Sequence, residues 1–186
     1  MKTFLLAGAL MAASTGLAQA GTLDFVAFGA GTYGSSISLG GATITNTSGG
    51  NILVGAGAAG AADGFCSLNP TVFNCEADTE IAFSSAVKNL SFDIDGSHSG
   101  DAVALSIYGL GNLLITTLNF STPDQTVDLS SYGAITRLLF DDSSTGAGVG
   151  YSTFTFDLVN QVPVPAGLPL MVGGLAAFGA LRRKKA

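Results

Sequence analysis

Between Gly21 and Gln161 no stretch keeps a helical hydrophobic period for three turns, which removes most of the folds open to a chain of this size. The pattern there is alternation. In residues 87–94, Leu90, Phe92 and Ile94 fall on one side and Asn89, Ser91 and Asp93 on the other, the signature of a strand with one face in water. Val103, Leu105 and Ile107 repeat it in residues 102–108, and residues 22–28 set Leu23, Phe25 and Ala27 on one expected face. Further short runs at 36–39, 41–46, 51–54, 80–84, 113–120, 126–129, 135–140 and 151–159 are bounded by Gly, Ser, Asn and Asp, with 109–111 as a tight hairpin connection. Strands at this spacing, with no helices for parallel crossovers, predict an all-β fold: an antiparallel β-sandwich of the jelly-roll kind, with a closed barrel as the alternative.

The two ends of the chain read differently. Lys2 precedes an apolar run from Phe4 to Ala13 with no polar face, and Ala18-Gln19-Ala20 forms an A-x-A cleavage site before Gly21. That is the pattern of a signal peptide, handled by the Sec machinery and signal peptidase. At the other end Val162-Pro163-Val164-Pro165-Ala166 is followed by an apolar run from Gly167 to Leu181 and by Arg182, Arg183, Lys184 and Lys185. About fifteen helical residues extend roughly 22 Å, a marginal membrane span. The closing cations favour the cytoplasmic side, which puts everything upstream outside. Pro163, Pro165 and Pro169 keep the junction extended and open to a processing enzyme. The expected organisation is a signal peptide over 1–20, an exported domain over 21–161 and a C-terminal segment with a single apolar helix over 162–186.

Proline motif, Gly/Ala-rich apolar helix and basic cluster, in that order, resemble the C-terminal sorting signals read by exosortase-type membrane proteases. VPVPAGLPLMVGGLAAFGALRRKKA is similar to the VPLPA variety of the PEP-CTERM class and departs from it at Val164, where the motif has Leu. The resemblance covers Val162 to Ala186 only. It implies a bacterial envelope protein, anchored transiently in the inner membrane, whose tail is recognised and removed on the way to the outer surface or extracellular space. An ordinary single-span anchor that stays in place is the alternative. Residues 87–157, with their "LSFD" strand, "GD" turn and closing "FTFD" strand, loosely resemble the β-sandwich ectodomains that precede such tails, and that likeness names no function.

In the central domain only Lys88 and Arg137 are basic, against all thirteen acidic residues of the chain, a net charge of −11. Such a surface repels nucleic acid and attracts cations, so nucleic-acid partners are excluded. Cys66 and Cys75 lie nine positions apart, and outside the cytoplasm they are expected to form a local disulfide, two free thiols being the alternative.

Several patterns invite a chemical reading. Asp93, Asp95 and Asp101 fall in one Ser/Gly-rich turn, a set of hard oxygen ligands of the kind Ca²⁺ takes, though the glycine and the final glutamate of an EF-hand are not where that motif has them. Asp24 and Asp157, on the first and last strands, form a second acidic option. The competing reading for both is a polar turn stabilised by its own carboxylates. Residues 55–60 spell G-x-G-x-x-G, but Gly64, Cys66 and Asn69-Pro70 break the helix a dinucleotide site needs, so no cofactor is implied. His98 is the one histidine and no Ser sits in a G-x-S-x-G elbow, so no catalytic residue is assigned and the chain is not read as an enzyme.

The function expected from sequence is therefore an exported surface or extracellular-matrix-associated protein with a structural or adhesive role. A carbohydrate-binding module of the envelope that binds polysaccharide, with Ca²⁺ as a candidate ion, is the alternative. Such modules stack sugars on exposed aromatic rings, and with no Trp in the chain the rings to watch are Tyr33, Tyr108, Tyr132 and Tyr151.

Overall fold

The structure, a computed structural model, describes residues 20–55, 63–96, 98–121 and 124–159. Ala18, the sorting motif Val162 to Ala166, the apolar run and the basic cluster Arg182 to Lys185 lie outside the described residues, as does most of the G-x-G-x-x-G pattern. The described residues form an all-β, antiparallel fold, as the alternation predicts.

One strand organises it. β7 (Thr79–Asp95) runs for 17 residues and belongs to two layers. Its first half lies between β4 (Ala42–Asn46) and β11 (Ile135–Asp142), in a layer that continues from β4 to β3 (Ser36–Leu39) and from β11 through β8 (Ala102–Gly109) to β9 (Leu114–Ser121). Its second half lies between β10 (Asp124–Asp128) and β12 (Gly150–Leu158), in a layer that continues through β6 (Gly64–Ser67) and β5 (Ile52–Val54) to β2 (Gly31–Tyr33). β1 (Ala20–Thr22) pairs with the other end of β12. The strand path runs from β2 to β9 without closing among the described residues, so the arrangement is an open sandwich and not the barrel alternative.

The sequence shows why β7 can serve both layers. Thr79, Ile81 and Phe83 point inward from its first half, Leu90, Phe92 and Ile94 from its second, so the inward set changes from odd to even positions. The change is made at Asn89, which has a φ of 50° and is the extra residue of a bulge: Thr155 faces Ser91 and Asp157 faces Lys88. A bulge bends a strand and re-aims its side chains. The bend brings both ends of β7 to one end of the sandwich. There the Asp142 N–H donates to Asp78 Oδ1 at 3.0 Å, the Val149 N–H donates to Asp142 Oδ2 at 3.4 Å, and Gly150 pairs with Asp95. The corner around Ser84 to Lys88 marks the opposite end.

Between the layers lies an aromatic core. Phe154 stacks on Phe92 with ring centres 4.9 Å apart and planes at 9°, and Phe140 meets Tyr151 at 4.3 Å. Phe65 joins them to Phe25, 5.1 Å away. Each ring that is withdrawn from water contributes about 1.5–3 kcal/mol, as does each buried Leu, Ile or Val packed around it, such as Ile44, Leu105 and Leu138.

The expected strand over residues 22–28 is corrected. β1 stops at Thr22, and Phe25–Phe28 forms one turn of helix, α1. Asp24 caps that turn by accepting the Ala27 N–H at 2.8 Å, and Gly29, at φ 101°, ends it. Leu23 and Phe25 are buried as expected, while Ala27 is exposed, because the helical turn replaces the alternation that was to bury it.

Candidate functional site

At the end where both tips of β7 meet, the loops are stitched together by carboxylates. Asp101 is buried; its Oδ2 accepts the His98 N–H at 2.8 Å and its Oδ1 accepts the Gly148 N–H at 3.3 Å. Asp95 accepts the Ser152 hydroxyl at 3.0 Å, and Asp93 accepts the Thr126 hydroxyl. Asp93, Asp95 and Asp101, suggested by sequence as a calcium set, therefore each serve a different protein donor. Asp24 is taken up by the α1 cap beside Phe154, and Asp157 accepts the Asn89 side-chain amide at 2.8 Å, so the second acidic option is also divided between two sites. Among the described residues no three of His, Cys, Asp and Glu gather closely enough to hold a metal ion.

Burial and neighbouring charge tune this end. Desolvation, only partly offset by hydrogen bonds from Ser144 and Val149, pushes the Asp142 carboxyl above its ordinary range, and Asp101 adds to the push. Asp95 is raised too, first by burial and then by Asp93 and Asp124. The Tyr151 phenol, wholly buried beside Asp142 and Asp78, is held well above the usual tyrosine range and has no hydrogen-bond partner.

The disulfide forms as expected: Cys66 on β6 is joined to Cys75, with Cα atoms 5.5 Å apart. Cys75 in turn donates its N–H to the Ala147 carbonyl at 3.0 Å, so the cysteine loop is fastened to the loop that Asp101 holds. At the N-terminal junction, Ala20 and Gly21 of the expected cleavage site lie in β1, opposite Asp157 and Phe156.

The outer face of the β3–β9 layer is a different kind of surface. Register places Ser36, Thr45, Glu80, Leu139, Ser106 and Thr117 in one row across six strands. The next row holds Ser38, Thr43, Ala82, Arg137, Tyr108 and Leu114. Ser36 and Ser38 hydrogen-bond across the hairpin to Thr45 and Thr43, each at 3.3 Å, and Ser106 bonds to Thr117 at 3.0 Å. Arg137 crosses between the rows: its Nη1 donates to Glu80 Oε2 at 2.9 Å and its guanidinium lies 3.8 Å over the Tyr108 ring. Its Nε is buried without a partner. Half-exposed and charged, in a field of hydroxyls, this trio can accept and donate hydrogen bonds to a polyhydroxylated surface while offering an aromatic edge.

Of the four tyrosines weighed for sugar stacking, Tyr151 is a core residue, Tyr33 packs on Phe28 and donates to the Gly29 carbonyl at 2.9 Å, and Tyr132 packs against the core from a turn. Only Tyr108 stands in the hydroxyl-rich rows. Glu80 and Arg137 were not singled out by sequence. The cue was present, since Arg137 occupies an outward position in the middle of a strand in a domain with two cations, but the strand pairing that sets Glu80 and Tyr108 beside it is not local.

No family model matches the chain and no curated protein matches it. A solved carbohydrate-binding module, a mutant of CBM29-2 complexed with mannohexaose, aligns over 76% of this chain and 92% of its own at 14% identity and a TM-score of 0.36, a likeness too low to carry an argument.

Proposed function

We propose that the chain is an exported bacterial envelope protein, delivered by its N-terminal signal, sorted by its VPVPA tail through an exosortase-type protease, and structural or adhesive in role. The observation that carries export is the Cys66–Cys75 disulfide, which belongs to an oxidising compartment and fastens the loop beside Gly148 to β6. The two-layer arrangement is read as a jelly-roll variant in which β7 serves both layers. Intact mass of the protein recovered from cells tests delivery and processing together. Loss of the residues before Gly21 and of those after about Ala166 supports the reading; a full-length chain at the surface overturns sorting.

A second reading is favoured by the Glu80–Arg137–Tyr108 trio. In it, the outer face of the β3–β9 layer binds polysaccharide, with hydroxyl rows and the Arg137–Glu80 pair addressing sugar hydroxyls and Tyr108 addressing the ring. Affinity electrophoresis of the full chain through gels containing soluble polysaccharides tests it. Retardation that is lost in Tyr108→Ala supports this reading, and unchanged mobility in every polysaccharide removes it in favour of the structural role.

A further inference from the structure

The corner end of the sandwich carries an apolar knuckle. Leu110, Leu113, Leu114 and Ile115 are 65, 72, 56 and 42% exposed, four large aliphatic side chains within six residues of the β8–β9 connection. The connection is tightly built: Gly111 and Asn112 both take positive φ, 70° and 61°, and the Gly109 N–H donates to the Leu113 carbonyl at 2.9 Å. Apolar side chains held out on a braced turn mark a contact surface and not a loose loop.

Strand pairing fixes where the knuckle stands. Gly109 faces Ile135, Ile135 faces Val87, and Val87 faces Leu158. Val159, the last described residue, donates its N–H to the Ala86 carbonyl at 2.8 Å. The domain thus ends at the corner that bears the knuckle. Eight residue steps separate Val159 from Gly167, where the apolar run begins, a reach of under about 30 Å even when fully extended. Charge is arranged to match. At this corner exposed Lys88 faces Asp157, whereas Asp78, Asp93, Asp95, Asp101 and Asp142 gather at the far end, so this corner is the less acidic of the two and the one an anionic lipid surface repels less.

We propose that Leu110, Leu113, Leu114 and Ile115 rest at the headgroup/acyl boundary of a phospholipid bilayer while the chain is anchored. This rests on the reading of the tail as a membrane anchor. Apolar side chains buried about 5–10 Å into the headgroup/acyl boundary are withdrawn from water without spanning the bilayer.

The chain contains no tryptophan, so Leu114→Trp, with Leu113→Trp as a second reporter, provides a single fluorophore at the knuckle, and Gln125→Trp on β10 provides one at the acidic end. Each full-length variant is reconstituted into phosphatidylethanolamine/phosphatidylglycerol vesicles, with co-flotation reporting anchoring. The expected result is that the knuckle reporters emit at shorter wavelength and are quenched by brominated acyl chains at least about twofold more than Gln125→Trp. Chains that float but whose knuckle reporters are unquenched overturn the lipid contact and leave the anchor standing. Emission at short wavelength without bromine quenching also overturns it, showing instead a knuckle covered by a second copy or by protein of the same chain. Failure to float overturns the anchor reading, and the lipid contact with it.

Discussion

Asp101 accepts the backbone N–H of Gly148, 47 residues further along the chain, at 3.3 Å, while its other oxygen accepts that of His98 at 2.8 Å. One buried carboxylate therefore closes its own turn and fastens it to the loop between β11 and β12. Asp101→Ala leaves two backbone donors without their acceptor, at a cost of about 1–3 kcal/mol each. The expected outcome in urea titration is a loss of about 2–4 kcal/mol, and Asp101→Asn, which keeps one acceptor oxygen, should lose less. Equal losses in the two variants would show that charge and not hydrogen bonding is what the site uses.

Gly148 is held from its other side as well. At φ 81° it lies against the Cys75 backbone, and a Cβ there would overlap the Cys75 carbonyl. Gly148→Ala combines an unfavourable φ with overpacking, and about 2–4 kcal/mol of destabilisation is expected. Removing the disulfide acts on the same loop by another route. Freeing a nine-residue closure costs about 2.5 kcal/mol through the unfolded chain. Because Gly148 and Cys75 are in contact, the triple variant Gly148→Ala, Cys66→Ala, Cys75→Ala should be more stable than the sum of the separate losses predicts, once the loop is free to move away. Additive losses would show that the Cys75 loop stays in place without its disulfide.

Most strands were legible from alternation because a half-buried strand writes its two faces directly into the sequence, as Leu90, Phe92 and Ile94 against Ser91 and Asp93 show. The error over 22–28 came from a short-range competitor that period counting ignores. Asp24 and Gly29 bracket one turn, and a cap bond plus a positive-φ stop outweighed the Leu23/Phe25/Ala27 alternation. Joining 80–84 and 87–94 into one strand was not readable, since the bulge at Asn89 depends on β12 facing it across the sheet. The candidate surface was legible only in fragments. Tyr108 was one of four tyrosines that sequence offered alike, and its neighbours Arg137 and Glu80 come from strands 29 and 28 residues away in opposite directions, brought together by pairing alone. The acidic turn, by contrast, was visible at once, but sequence cannot tell a carboxylate free for a cation from one that accepts a backbone N–H, as Asp101 accepts that of His98.

The aromatic core offers a direct test of which ring matters most. Phe154 stacks on Phe92, meets Phe65 and Phe25 at 6.3 Å, and is almost wholly buried. Phe154→Ala should cost about 3–5 kcal/mol, near the upper range for a single core truncation. Phe28, packed on Tyr33 at the margin of the core, should lose much less on the same substitution. Thermal melts of the two variants check the order, and a reversed order would move the centre of the core away from the β7–β12 layer.

The pH dependence follows from Asp142. Its carboxyl is raised above the ordinary value chiefly by burial, so the native state holds that proton more tightly than the unfolded chain does. A group raised in this way contributes stability below its unfolded pKa and loses that contribution as pH rises through the folded one. Asp95, also raised, acts in the same direction, and protonation relieves the mutual repulsion of a strongly acidic domain. The contribution of these two groups should therefore rise as pH falls through their folded-state pKa values toward the ordinary carboxylate range, the reverse of what Asp128, lowered by its hydrogen bonds from Ser130, and salt-bridged carboxylates do. Asp142→Asn carries the neutral form at every pH and keeps an oxygen to accept the Ser144 N–H. Its melting temperature should exceed that of the parent at neutral pH and converge with it in acid. A parallel offset between the two curves across that range would exclude Asp142 as the titrating group.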